Sequence, residues 1–344
     1  MKKMVMMAAL ALMAGSALQA APDRTVAGAA PGGSSPFATD AYPGFDGLDD
    51  IKKPERREKS WWFGVKRNTS AEQYSYAKDL ESNGDFKGAA KAFDALVREW
   101  PSSLEAPASQ LRFAKLLATK LEDYEEAFIQ LEYLFDFYSR DCDYQALVKY
   151  GYQLVNTMVD KKKTVFGLSF LSKRLVRQHY ESLVRRAPGA DFVPEAMLKI
   201  AQIRVDEQQY IEAQKVLSAL QSKYPLRPEA RIAAFREAEV RMWICRRLAY
   251  NQVRCKDTRS YLAFLQTRYP DLERMEDVKK WEQELIEYMA EDAYQHAKTY
   301  DNRRRTRHAA ISAWQTFLRD YPGTSHEEEV KARIAELAAV SATK

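Results

Sequence analysis

The sequence is short of the residues that most metal and acid–base chemistry uses. It has four histidines, His179, His296, His308 and His326, and three cysteines in 344 residues. None of the histidines falls in a metal-ligand spacing such as His-Glu-x-x-His, and there is no phosphate-cradling glycine-rich loop or Gly-x-Ser-x-Gly turn. Lone surface histidines are therefore expected, with no metal, no cofactor and no catalytic residue. Carboxylates such as Asp79, Glu81 and Asp85 are too frequent along the chain for any two to mark an acid–base pair.

Glycine and proline are sparse as well, thirteen of each, and nearly half of them lie before residue 65. The rest of the chain is left with long stretches rich in Leu, Ala, Glu, Lys and Arg, which favour helix, and no convincing strand pattern interrupts them. A hydrophobic content of 46% is enough to build a core, so the chain as a whole is not a disordered one.

Long apolar runs are missing too. The run from Met4 to Met13 falls well short of the roughly 20 residues of a bilayer-spanning helix. It follows Lys2 and Lys3 and precedes small residues from Ala14 to Ala21, the order of an export signal, here read as residues 1–20 with cleavage after Ala20. A lipoprotein signal would place a cysteine just after the run; the first is Cys142, so no lipid anchor is expected. The formal charge of +5 becomes +3 once the two lysines leave, and an exported, nearly balanced chain makes nucleic acid an unexpected partner.

Residues 21–60 break the composition. They are rich in Gly, Pro, Ser, Ala and Asp and read as a disordered tether that cannot repay the entropy of ordering. Trp61, Trp62 and Phe63 follow, either folding back to cap the first helix pair or standing as an exposed partner anchor, since tryptophan is enriched at binding hot spots. Two further segments carry partner readings. Phe166 and Phe170, behind Lys161-Lys162-Lys163, either start the next helix or meet a partner; Arg303, Arg304 and Arg305 form either a solvated turn or a contact for an acidic partner or anionic lipid headgroups, which would give peripheral membrane contact.

From Ser70 onward one pattern occurs six times: a small or apolar residue, large apolar residues at +4 and +7, an aromatic at +11 and proline at +12. The full copies are Ala89, Phe93, Leu96, Trp100, Pro101; Ala213, Leu217, Leu220, Tyr224, Pro225; and Ala310, Trp314, Phe317, Tyr321, Pro322. Weaker copies lie between them. Ala127, Leu131, Leu134, Tyr138 ends on Ser139; Tyr180, Leu183, Ala187, Pro188 lacks the aromatic; and Leu262, Leu265, Tyr269, Pro270 has Thr258 in the leading place. These offsets put the side chains on one helix face, and the proline stops the helix at the residue before it.

Another amphipathic segment precedes each copy, so the unit is a helical hairpin. Tyr76, Ala77 and Leu80 line the first helix of the first unit, Asn83-Gly84-Asp85 makes the turn, and Ala201 and Tyr210 stand in the fourth unit where Ala77 and Phe86 stand in the first. Small residues at Ala77, Ala89, Ala201 and Ala213 let two helices approach. Cys245 and Cys255, ten residues apart, fall on the two helices of one hairpin; either they bridge or all three cysteines are small buried hydrophobes. The expected fold is all-α: about six helical hairpins over residues 61–341, closed by a capping helix from His326 to Val340.

This unit resembles the tetratricopeptide repeat, with Ala77, Leu80, Ala89, Phe93 and Pro101 in the signature places. Successive units end at 101, 139, 188, 225, 270 and 322, further apart than the standard 34 residues, so elongated helices and insertions must fill the difference. The resemblance implies an α-solenoid whose groove binds proteins. Gln73-Tyr74-x-x-Ala77 before Gly84-Asp85-Phe86-Lys87-Gly88-Ala89-Ala90, Asp123-Tyr124-Glu125-Glu126-Ala127, and Asp143-Tyr144 before Tyr150-Gly151 together resemble the BamD-like lipoproteins of the outer-membrane β-barrel assembly machinery, over about residues 70–240. That likeness implies a periplasmic scaffold that docks on the barrel-inserting subunit and helps receive unfolded outer-membrane clients. The chain departs from it in lacking the lipid-acceptor cysteine and in carrying about a hundred further residues at its ends, so attachment at the outer membrane would come through a protein partner. A cell-envelope adaptor for division or peptidoglycan maintenance is the second expectation, and an unrecognised envelope enzyme the third.

Overall fold

The computed structural model describes residues 64–162, 172–247, 251–301 and 307–342. Within them the chain is all-α, a tetratricopeptide-like series of six helical hairpins and a closing helix. The hairpins pair α1 (Ser70–Ser82) with α2 (Phe86–Glu99), α3 (Ala106–Thr119) with α4 (Tyr124–Phe137), and α5 (Tyr144–Lys162) with α6 (Lys173–Arg186). They continue with α7 (Val193–Asp206) and α8 (Tyr210–Lys223), α9 (Pro228–Arg247) and α10 (Gln252–Arg268), and α11 (Met275–Asp301) and α12 (Arg307–Asp320), before α13 (Glu327–Ala342) closes the series.

Local chemistry sets the helix starts. Thr69, Asp85, Asp123 and Asn251 each accept a backbone N–H of the following first turn with a side-chain oxygen, satisfying donors that no helical carbonyl can reach. Pro107 and Pro194 sit at the starts of α3 and α7, where a missing N–H costs nothing. The turn at Asn83-Gly84-Asp85 needs φ of +83° at residue 84, which glycine adopts without penalty.

The repeated pattern marks the second helix of every hairpin. In all six copies the residues at the first, +4 and +7 positions are no more than 3% exposed, from Ala89, Phe93 and Leu96 to Ala310, Trp314 and Phe317. The +11 residue caps its helix each time: the N–H groups of Trp100, Tyr138, Ala187, Tyr224, Tyr269 and Tyr321 bond the carbonyl of the +7 residue. Pro101 is half-buried and Pro225 and Pro322 are exposed, so the prolines lie at the edge of the packing. Proline is not what ends these helices, because α4 stops in the same register with Ser139 in its place. Its effect is on the cap: ψ is 63° at Trp100, 67° at Ala187, 50° at Tyr224 and 61° at Tyr269, but 21° at Tyr138, where no proline ring pushes the preceding residue out of the helical region.

Every helix packs on the next one, and α7 also lies against α9. Successive hairpins are tied by a recurrent bond. The Tyr138 hydroxyl donates to the Pro101 carbonyl and the Tyr224 hydroxyl to the Pro188 carbonyl, both at 2.7 Å, so these two capping tyrosines each satisfy a carbonyl just past the end of the preceding hairpin. Buried glutamines make a second tie inside hairpins: the amides of Gln73 and Gln110 donate to the carbonyls of Ala92 and Gln130 at 3.1 Å.

The extra length per unit is placed mainly in first helices. α5, α9 and α11 run to 19, 20 and 27 residues, against 13 or 14 for α1, α3 and α7. In the third hairpin the close approach is made by Gly151, where an added Cβ would stand 2.9 Å from Leu183 Cδ2. Gly151→Val should therefore cost about 1–3 kcal/mol through overpacking, read as a lower urea midpoint. A gain in stability, as helix propensity alone would give, would show that this contact is not tight.

Candidate functional site

The first helices of the fourth and fifth hairpins form a cleft. Along α7, Glu195, Leu198, Lys199, Gln202 and Val205 recur at helical spacing; along α9, Ile232, Arg236, Glu239, Val240 and Trp243 do the same; Tyr210 and Leu217 of α8 close the floor, around a volume of about 530 Å3. Two large apolar side chains stay open to solvent there, Ile232 at 51% and Trp243 at 39%. The indole is held in place. It stacks on Tyr210 with ring centres 3.9 Å apart, and the Arg247 guanidinium lies 5.2 Å from its centre.

The charged rim is compensated within itself. Lys199 pairs with Glu195 at 2.9 Å, and Arg236 and Arg274 both pair with Glu239, at 3.2 and 3.0 Å. Lys199 also donates to the Tyr152 hydroxyl and to Asn156, tying the cleft wall to α5. Burial pushes the Glu195 carboxyl up, but hydrogen bonds from Lys199 and Tyr152 outweigh it and hold it below the usual carboxylate value. A cleft with an apolar floor, a fixed indole and a self-neutralised rim suits an apolar side chain on a polypeptide better than a small charged metabolite.

Two buried polar groups in the hairpins before the cleft are structural. Glu181 of α6 takes Arg177 at 2.9 Å and Arg204 at 3.1 Å on one oxygen and faces Arg185 at 4.0 Å with the other, and all four side chains are almost fully buried. Glu132 of α4 accepts from Ser182 at 2.6 Å and pairs with Arg186. Burial pushes its carboxyl up, opposed by Arg186 and Ser182. No group of three His, Cys, Asp or Glu side chains among the described residues could hold a metal ion, and none of the described helices is long and apolar enough to cross a membrane.

The histidines correct the expectation of lone surface residues. His296 and His308 are exposed, but His179 is buried against Phe128 with ring centres 3.9 Å apart, and His326 stacks on Tyr294 and bonds Glu291 at 2.6 Å. His179 sits on the inner face of α6, where an aromatic ring fills the gap and the imidazole is carried as a neutral group. Its Nε2 has no hydrogen-bond partner among the described residues, and burial lowers its pKa from 6.5 to about 3. A neutral native imidazole stabilises the fold fully above pH 6.5, and that contribution is lost as the pH falls toward 3, because only the unfolded chain takes up the proton. Between pH 7 and 5 the protein should lose on the order of 2 kcal/mol more than His179→Phe. Parallel denaturation curves for the two proteins over that range would refute it.

The residues expected to meet partners, Trp61, Trp62, Phe63, Phe166, Phe170, Arg303, Arg304 and Arg305, all lie outside the described residues. Of the repeat-face residues, the structure gathers Ala201 and Leu217 at the cleft and places the Tyr224 hydroxyl at the junction with the third hairpin. Sequence reasoning missed Trp243 and Tyr210 as a pair because they lie 33 residues apart on different hairpins. The available signal was a tryptophan four residues from both Glu239 and Arg247, on the charged side of α9.

No protein-family model matches the sequence, and no curated protein matches it. Among solved structures the chain is similar to a tetratricopeptide repeat protein from Parabacteroides merdae, at 10% identity and a TM-score of 0.29 over 78% of this chain and 98% of that one. It is also similar to the C-terminal part of a repeat-containing protein of the same type from Cytophaga hutchinsonii, at 18% identity and a TM-score of 0.26 over 75% and 98% of the two chains. A putative kinesin light chain with tetratricopeptide-like repeats from Podospora anserina gives 16% identity and a TM-score of 0.28 over 57% and 96%. These likenesses concern the fold alone, which the helix order and the six matching cores establish by themselves.

Proposed function

We propose that the protein is a non-catalytic scaffold of the cell envelope and that the cleft between α7 and α9 receives an apolar segment of a partner protein. The observation that carries this reading is Trp243, a large ring left open to solvent yet fixed by Tyr210 and Arg247. Such rigid, half-open aromatics supply much of the energy of protein interfaces. The role proposed for the scaffold is BamD-like, in outer-membrane protein assembly, with the barrel-inserting subunit and unfolded barrel clients as partners in the periplasm. Its support is the order of motifs at 73–90, 123–127 and 143–151 and the export signal read at residues 1–20. A division or peptidoglycan adaptor is the second reading, since the same apolar cleft would serve any partner segment of that chemistry.

Photo-crosslinking from position 232, on the cleft rim, tests both parts in intact cells. Capture of a β-barrel assembly subunit supports the assembly role; capture of division or wall-synthesis proteins retires it and keeps the cleft; no capture from 232 alongside capture from distant surface positions removes the cleft. Trp243→Ala should weaken binding of the captured partner about thirtyfold, about 2 kcal/mol at a hot spot, with a far smaller change in the unfolding midpoint. Equal affinity for variant and parent would take Trp243 out of the interface.

A further inference from the structure

The C-terminal turn of α9 and the first turn of α10 bring two thiols into one core. Cys245 and Cys255 are both fully buried among Met242, Leu262, Leu285 and Met289. The Cys245 sulfur lies 3.2 Å from Thr258 Oγ1, and Thr258 is one turn along the same face of α10 from Cys255. Two cysteines ten residues apart in sequence thus lie buried in one core, on the two helices of one hairpin, with Thr258 in contact with Cys245 and one turn from Cys255. The third cysteine, Cys142, precedes α5 and packs against a different core cluster, so it does not compete for either.

We propose that Cys245 and Cys255 are a disulfide-forming pair that staples the fifth hairpin. The oxidant is a disulfide, either a low-molecular-weight one such as oxidised glutathione or a protein dithiol–disulfide exchanger. One thiolate attacks a sulfur of that disulfide and expels its other half; the second thiolate then displaces the half that remains. A bond forms between the two cysteine sulfurs, the pair loses two electrons and two protons, and the external disulfide leaves as two thiols.

The folded state dictates when this happens. Burial, reinforced by Cys245, pushes the Cys255 thiol up to about 12, so in the folded reduced protein it stays protonated and is a poor nucleophile. Oxidation therefore belongs to the folding chain, before the core between α9 and α10 closes. Once formed, the bond lies out of reach of reductants and fixes the end of α9 two residues from Trp243. The staple does not depend on what occupies the cleft.

The test is refolding of the full chain from denaturant in a mixture of oxidised and reduced glutathione, against refolding in reductant alone, followed by alkylation of free thiols under denaturing conditions and mass spectrometry. The reduced sample should take three alkyl groups, one for each free cysteine, and the oxidised sample one, at Cys142. Trypsin should release the segment Met242–Arg246 joined to Cys255-Lys256 and two mass units lighter than the separate peptides. The oxidised protein should melt at a higher temperature than the reduced one, and Cys255→Ser should abolish the difference. Three labelled thiols after oxidative refolding, or a bridge that includes Cys142, would overturn the proposal even if the serine variant failed to fold.

Discussion

Replacing Glu181 with alanine is expected to cost about 3–5 kcal/mol and to unfold the middle of the array first. The carboxylate is shared by three guanidinium groups, from Arg177 and Arg185 on its own helix and Arg204 on α7, and every one of these side chains is almost wholly out of water. A buried charge is tolerated because its counter-charge is buried with it; take away the shared anion and the cations repel one another where no water can screen them. Glu207 pairs with Arg177 at 3.1 Å and Gln209 bonds Arg204, so part of the network survives, and it does so around excess positive charge. Glu181→Gln, which keeps the shape and one acceptor, should fall between parent and alanine. The control is Glu276→Ala, which breaks an exposed pair with Lys279 and should leave the unfolding midpoint almost unchanged. Equal losses for the buried and exposed substitutions would mean that the α6–α7 interface is not held by this cluster.

Phe93→Ala and Trp314→Ala are each expected to cost about 3–5 kcal/mol, the usual range for emptying a buried aromatic site. Phe93 is fully buried and tilts against Tyr74, 5.8 Å between ring centres. Trp314 packs between Tyr294 and Phe317, and its indole N–H points to Asp301 at 3.4 Å. The two occupy corresponding places in the first and last hairpins but sit in separate core clusters. Their effects should therefore add, and limited proteolysis should cut the first hairpin first in one variant and the last hairpin first in the other. A loss below about 1 kcal/mol in either protein would contradict the shared register of the hairpins.

What the sequence made legible follows from the range of the interactions involved. Helical periodicity is local, so the faces carrying Ala89, Phe93 and Leu96 or Ala310, Trp314 and Phe317 could be read from spacing alone, and the hairpin count followed from six copies of one pattern. The third copy was harder to read because Val176 stands in its leading place, and the close approach is made from the first helix, by Gly151 against Leu183. The Glu181 cluster was not legible. Arginine and glutamate on a helix usually face water, and only the burial of α6 between its neighbours turns Arg177, Glu181 and Arg204 inward. His179 was misplaced for the same reason. The cleft escaped because its walls come from different hairpins, and periodicity within one helix carries no information about which helix lies opposite.

The succession in which each helix rests on the one before it also bears on how the protein reaches its native state. Contacts between neighbours in sequence close short loops, so little chain entropy must be lost before a contact forms, and folds of this kind have low contact order and fold quickly. A chain made from its N-terminal end can fold one hairpin at a time, each finished unit offering the surface on which the next condenses. No part of the array would have to wait for the last residues to arrive.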